Sequence, residues 1–278
     1  MSTLARVSWL ALLALAWWVV SAARVHAYHE PNQAWTSGTA YTLRAGELSL
    51  GLIRAEVGVL DELSVGINVM PWVVGPFFGT VIPNGYVKIR DFVHGPFAVA
   101  LEGHFLYIDA AAILDRVSQG AHSKLLSLMA ALSTSMRWSD ALSTSLQATF
   151  TVVNVGGGSG GLAFEGTAVL DNLFVSGQFE WRFHRTLALH LLGRVLFYRE
   201  APTVNLHYTP NATTSVDAAL QANFVVPTGA WSVVPALAYS GEHFNMRVGA
   251  GYGHRWLPVL GLVLNPGLVV DFDCFVRF

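Results

Sequence analysis

The sequence predicts an all-β fold: a transmembrane, antiparallel, up-and-down β-barrel of twelve strands, with fourteen as the alternative count. Three observations carry this. First, the chain is 53% hydrophobic and only 12% charged, about half the charged share of a soluble domain. Yet beyond residue 27 it holds no apolar run of the ~20 residues that a spanning helix needs. Second, apolar and polar residues alternate with a period of two, as in strands with one apolar and one polar face. Third, most alternating segments run about 9 residues or more, the reach of a membrane-spanning strand rather than of an average globular one.

Residues 1–27, MSTLARVSWLALLALAWWVVSAARVHA, read as a secretory signal peptide. Arg6 gives the positive start, the stretch from Val7 to Val20 is apolar apart from Ser8, and Val25-His26-Ala27 resembles a cleavage site. The alternative, an uncleaved anchor helix, is disfavoured by the short apolar core. Residues 28–278 are then one barrel domain. Removing residues 1–27 takes away two of the 16 basic residues and none of the 18 acidic ones, leaving a formal charge of −4. A mildly acidic chain without a basic stripe argues against nucleic acid as a partner. The single cysteine, Cys274, forms no internal disulfide, and no Cys/His spacing suits zinc. No cofactor or metal is expected.

The alternating segments follow in order. Residues 48–57 change parity near Arg54 and Glu56, which suggests a bulge. Residues 63–70 and 86–92 are weaker. In 97–107 the apolar face opposes Glu102 and His104. Residues 125–138 and 142–150 come next. The cleanest segment is 173–184, where Leu173, Val175, Phe179, Trp181 and Phe183 oppose Gln178, Glu180 and Arg182. It forms a hairpin with 187–198 through Arg185-Thr186. Residues 216–224, 231–239, 244–252 and 268–278 complete twelve, although Pro235 weakens the tenth. Connections alternate between short and long, as in barrels with short turns at one rim and longer loops at the other. Gly156 to Gly161 reads as a flexible loop within the longest connection. With both termini on the short-turn side, these twelve place the long connections at the wrong rim. Extra strands at 35–44 and 256–264 repair this and give fourteen, although Pro258 counts against the second.

In a bilayer the apolar faces meet lipid and the polar faces line the interior. The predicted lumen-lining residues are Lys88, Arg90, Glu102, His104, Glu180, Arg182, Arg194, Asp217, Arg247, Asp271 and Asp273. Both signs occur, so these charges are expected to pair across the lumen. The same parity includes Leu106, Ile108, Phe174, Leu192, Leu196, Val225 and Phe275, which is apolar for a water-filled pore. Trp138, Trp181, Phe183, Tyr198, Trp231, Tyr239, Tyr252 and Trp256 fall near segment ends, as interface girdles do.

The chain ends VVDFDCFVRF. Phe278, Val276, Cys274 and Phe272 alternate to a terminal aromatic. This resembles the C-terminal signature of Gram-negative outer-membrane β-barrel proteins. The segment TAYTLRAGELSLGL and the turn in VGVLDEL are similar to the opening hairpins of small barrels of that class. The resemblance implies an outer-membrane location, contact with outer-membrane lipid, closure of the last strand on the first, and recognition of that strand by the barrel-assembly machinery. It implies no substrate.

No Ser, His and acid stand at a spacing that specifies a triad, and His122-Ser123, as neighbours on a strand, point to opposite faces. Tyr28-His29-Glu30 reads as a tail rather than a metal site, and Asn211-Ala212-Thr213 as an accidental glycosylation pattern. The sequence therefore predicts a non-enzymatic barrel, a porin-like passive channel or a structural barrel. The alternative is a transporter for an apolar small solute. An outer-membrane lipid hydrolase and a soluble periplasmic β-protein rank lower.

Overall fold

A computed structural model of the protein describes residues 35–78, 80–111, 121–159, 164–199, 203–211, 214–221, 229–257 and 262–278. The signal-like segment, the Tyr28-His29-Glu30 tail, Ala212, Thr213 and Val225 lie outside these residues.

Period-two patterning gives antiparallel strands throughout. They are β1 (Leu48–Gly51), β2 (Arg54–Leu60), β3 (Leu63–Asn68), β4 (Asn84–His94), β5 (Phe97–Asp109), β6 (Ala121–Ser139), β7 (Leu142–Ser159), β8 (Phe164–Arg182), β9 (Leu187–Arg199), β10 (Thr203–Asn211), β11 (Thr214–Gln221), β12 (Trp231–Ser240), β13 (Phe244–Leu257) and β14 (Leu262–Arg277). A short helix, α1 (Val69–Val74), and a 3₁₀ turn (Gly75–Phe78) follow β3.

Twelve of these strands close a ring. Neighbours pair in sequence from β1 to β9, β9 pairs with β12, and β14 returns to β1 through Ser49↔Arg277, Leu50↔Val276 and Gly51↔Phe275. The last strand thus closes on the first. The backbones of Leu48 and Phe278 exchange hydrogen bonds of 2.9 and 2.8 Å. β10 and β11 stand outside the ring. β9 pairs with β8 over residues 172–182, and β10 takes over along residues 164–169, with β11 folded back on β10.

The strand assignments need five corrections. Residues 48–57 are not one bulged strand. They are the hairpin of β1 and β2, with Leu48 opposite Val57, and parity changes because the chain reverses at Leu52-Ile53. Of the predicted segment 216–224, the described residues 216–221 do not enter the ring, because β11 belongs to the extension, and 222–224 lie outside the described residues. Residues 35–44 are not a strand: the chain from 35 to 47 is irregular, and residues 35–43 pack inside the barrel. The predicted segment 256–264 is not an added strand: Trp256 and Leu257 end β13, residues 262–264 begin β14, with Trp256 opposite Val263, and residues 258–261 lie outside the described residues. Gly156 to Ser159 are not loop but the end of β7, paired with β8. With β1 and β2 separated, twelve strands suffice. The connections after β2, β4, β6, β8 and β12, each of two to four residues, share one rim with both ends of the ring, and the long connections after β3, β5 and β9 lie at the other rim together with the short ones after β1, β7 and β13.

Alternation sets the two faces. Along β12 the residues from Trp231 to Ser240 are strictly exposed, then buried. Pro235 takes an outward position, and pairing with β13 lapses between Val233 and Ala236, which accommodates a residue without an N–H. The outer surface carries exposed Leu101, Leu132, Leu146, Phe179, Leu191, Leu237, Val248 and Val270. Trp138, Trp181, Phe183 and Tyr239 are exposed toward the short-turn rim, and Tyr198, Trp231 and Tyr252 toward the other. Trp231 and Tyr239 are both on β12, about 26 Å apart along the strand at ~3.3 Å per residue. With the usual tilt that suits an apolar band about 25 Å tall. An apolar outside on a closed ring with no free edge is the construction a bilayer demands.

The wall is uneven. β6, β7 and β8 have 19, 18 and 19 residues, but β1, β2 and β3 only 4, 7 and 6. The short strands fall below the ~9–11 residues of a spanning strand. Above them the uncharged run VMPWVVGPFF continues the apolar exterior as α1 and the 3₁₀ turn, with Met70, Val73 and Phe77 exposed. So short a helix needs partners for its terminal N–H groups, and the Val69 N–H finds one in the Ile53 carbonyl (2.9 Å).

Candidate functional site: a plugged lumen

Residues 35–43 occupy the interior, and the exposed turn at Arg44 to Gly46 carries the chain out to Glu47 and β1. Trp35, Ala40 and Leu43 are fully or almost fully buried. A buried irregular segment needs partners for its backbone, and the inward side chains of the ring supply them. The Ala40 N–H donates to Ser135 Oγ (2.8 Å) and the Leu43 N–H to Ser64 Oγ (2.9 Å). Lys88 Nζ donates to the carbonyls of Thr36 (2.6 Å) and Thr39 (2.7 Å). Thr36 Oγ1 donates to Glu56, which also accepts from the Tyr86 hydroxyl.

The plug is stitched to the short wall where it leaves the lumen. Thr42 Oγ1 donates to the Asp61 carbonyl, the Ala45 N–H to the Asp61 carboxylate, and the Gly46 N–H to the Gly58 carbonyl. Gly58 is required there: a Cβ at this position would stand 1.9 Å from the Arg44 carbonyl oxygen.

Two charged clusters flank the plug. In the first, Glu102 accepts from Arg54 NH1 (3.0 Å) and bonds His104 Nε2, with Lys88 Nζ at 3.7 Å. Arg54 lies over the Tyr86 ring, which stacks on His104. Lys88 is only 1% exposed. An ammonium that deep is tolerable only when paired and hydrogen-bonded: Glu102 is its ion-pair partner, and the plug provides the carbonyls of Thr36 and Thr39 that accept its hydrogen bonds. In the second cluster Arg182 bonds Glu180 (2.8 Å), His190 Nε2 stands 3.7 Å from Glu180, and Arg247 pairs with Asp271. Arg277 lies 3.7 Å from Glu47 at the plug's exit.

Lys88, Glu102 and His104 thus meet in the first cluster, and Glu180, Arg182, Arg247 and Asp271 in the second. Asp273 stands opposite Arg247 in the β13–β14 register and is half-buried. Arg90 and Arg194 are half-buried at positions that continue the inward parity of Lys88 and of His190. Asp217 is on β11, opposite His207, in the extension beyond the ring. Leu106, Phe174, Leu196 and Phe275 are buried, and Ile108 and Leu192 are half-buried.

Sequence reasoning missed Arg54, Glu56, Tyr86 and the plug. Arg54 and Glu56 were hidden by the misread hairpin. The plug was hidden because TSGTAYTLR alternates like a strand. Its Thr, Ser and Gly content is the signal that could have marked it as irregular.

No protein-family model matches this chain, and no curated protein does. Solved structures are similar to it at low identity. The toluene transporter TodX of Pseudomonas putida has 8% identity over 83% of this chain and 76% of its own, with a TM-score of 0.44. The CymD monoaromatic hydrocarbon channel has 10% identity over 91% and 94%, with a TM-score of 0.41. The translocator domain of the autotransporter NalP of Neisseria meningitidis has 9% identity over 83% and 83%, with a TM-score of 0.41.

Proposed function

We propose that the protein is a bacterial outer-membrane barrel that works as a channel-like conduit for small solutes and is held closed at rest by residues 35–47. The observation that carries this reading is the pair of hydrogen bonds from Lys88 to the Thr36 and Thr39 carbonyls. A lumen braced only by its own side chains would have no use for an ammonium whose acceptors come from a separate segment. The plug is held by hydrogen bonds and ring contacts rather than by strand pairing, so it can leave while the ring stays closed. The role is non-catalytic: the carboxylate of Glu102 is committed to Arg54, Lys88 and His104. The apolar exterior, the aromatic girdles and the terminal strand support the outer membrane as location and the barrel-assembly machinery as a partner through Phe278.

A second reading, transport of an apolar solute, is favoured by the buried cluster of Phe174, Leu196 and Ala230 on the inner face. Planar-bilayer recording tests the first reading. The intact chain should conduct little, and deletion of residues 35–44 should raise conductance at least tenfold. Equal currents from both would refute closure by the plug. Saturable uptake of an apolar solute by intact chain that carries little ionic current would favour the second reading.

A further inference from the structure

Trp35 is held in a box made by three walls of the barrel. Phe275 meets its ring edge-on at 5.0 Å and 86°, and His190 does so at 5.8 Å and 75°. The Arg247 guanidinium lies over the ring at 4.7 Å from its centre. Asp271 holds that guanidinium through Nε and NH2. Space for the ring comes from small residues: Ala188 and Ala238 are register partners on β9 and β12 and pack with Trp35 and Phe275 in one buried cluster.

All three ring contacts address a π-system. Edge-to-face pairs set the positive edge of one ring against the negative face of the other, and a cation over a ring face is attracted by its quadrupole. Nothing in the box addresses the indole as an indole. Trp35 Nε1 is buried and has no hydrogen-bond partner among the described residues, although a buried Trp N–H usually finds one. The box therefore fits the ring and neglects the donor that distinguishes tryptophan.

We propose that this box is a binding site for a small flat aromatic ring without a hydrogen-bond donor, and that Trp35 is its tethered stand-in. Such a solute leaves no orphaned donor, so it competes with Trp35 for the same walls. Displacement frees the end of the plug opposite its exit at Gly46 and Gly58. The solute must overcome the tether, which gives Trp35 an effective concentration on the order of millimolar. Selectivity comes from the contacts: a saturated ring of equal size fills the space but offers no π-face to Arg247.

The inference rests on the reading that residues 35–47 can leave the lumen, but its test reads the ring directly. The full chain is labelled with 5-fluorotryptophan in detergent micelles, and the ¹⁹F resonance of Trp35 is assigned by its loss in Trp35→Phe. Toluene should move that resonance to a saturating, solvent-like position at a concentration at least tenfold below any effect of methylcyclohexane. A resonance that ignores toluene, or that answers both solutes alike, overturns the proposal. If Trp35 stays put while deletion of residues 35–44 opens the channel, this inference fails and closure by the plug survives. If toluene releases Trp35 but the deletion does not conduct, the site stands and the channel reading fails.

Discussion

The two sides of the barrel are built on different terms. In the tall wall of β6, β7 and β8, β7 pairs along its whole length with β6 on one side and β8 on the other. It meets the plug through the hydrogen bond from the Ala40 N–H to Ser135 Oγ. The short wall of β1, β2 and β3 has few rungs of its own and shares its inner surface with the plug through Glu56, Gly58, Asp61 and Ser64. Strand pairing alone can hold a wall of about 18 residues. A wall of 4 to 7 residues leans on whatever fills the lumen behind it. The difference implies that the plug stabilises one side of the ring as well as closing it.

The largest expected effect separates the two walls. Deleting residues 35–44 should speed amide exchange in β1–β3 by at least 100-fold and leave β6–β8 unchanged; a uniform change would erase the contrast. Lys88→Met removes the ammonium that joins Glu102 to the plug. Breaking a buried pair in this way costs roughly 3–5 kcal/mol, read as a lower heating midpoint for the SDS-resistant form, together with raised conductance. Leu191→Arg, on the lipid face of β9 opposite Pro235 and so midway between Trp231 and Tyr239, should cost ~2–4 kcal/mol, with no change in plug contacts. Gly58→Val forces a side chain against the Arg44 carbonyl. Overpacking of that kind costs about 1–3 kcal/mol, and the loss should localise to the plug exit and β2. Ser135→Ala orphans the Ala40 N–H at a cost of about 1–3 kcal/mol, and β6–β8 exchange should barely move.

Much of the tall side was legible in the sequence, because long alternation has a single solution. Leu173, Phe179 and Trp181 can meet lipid only if Glu180 and Arg182 face inward, and the structure places them so. The short side was not legible. A four-residue strand followed by a two-residue turn looks, over residues 48–57, like one strand with a slipped parity. TSGTAYTLR reads as a strand because alternation records which side of a residue is buried, not what buries it. Phe275 was legible as inward, and its partner Trp35 was not. A contact between a wall and a segment more than 200 residues away leaves no local period. The charges Lys88 and Arg247 were legible as inward-facing, but their partners in the plug, the Thr36 and Thr39 carbonyls and the Trp35 ring, depend on a fill that only the folded chain reveals.

The most direct measurement of the central claim is single-channel conductance in planar bilayers, intact chain against the chain lacking residues 35–44, after each has been shown to resist SDS until heated. Resistance is required because a closed ring has no free strand edges. The account predicts a quiet intact barrel and a steadily conducting deletion, at least tenfold apart. Two folded barrels with the same current, open or shut, would show that residues 35–47 do not close this lumen.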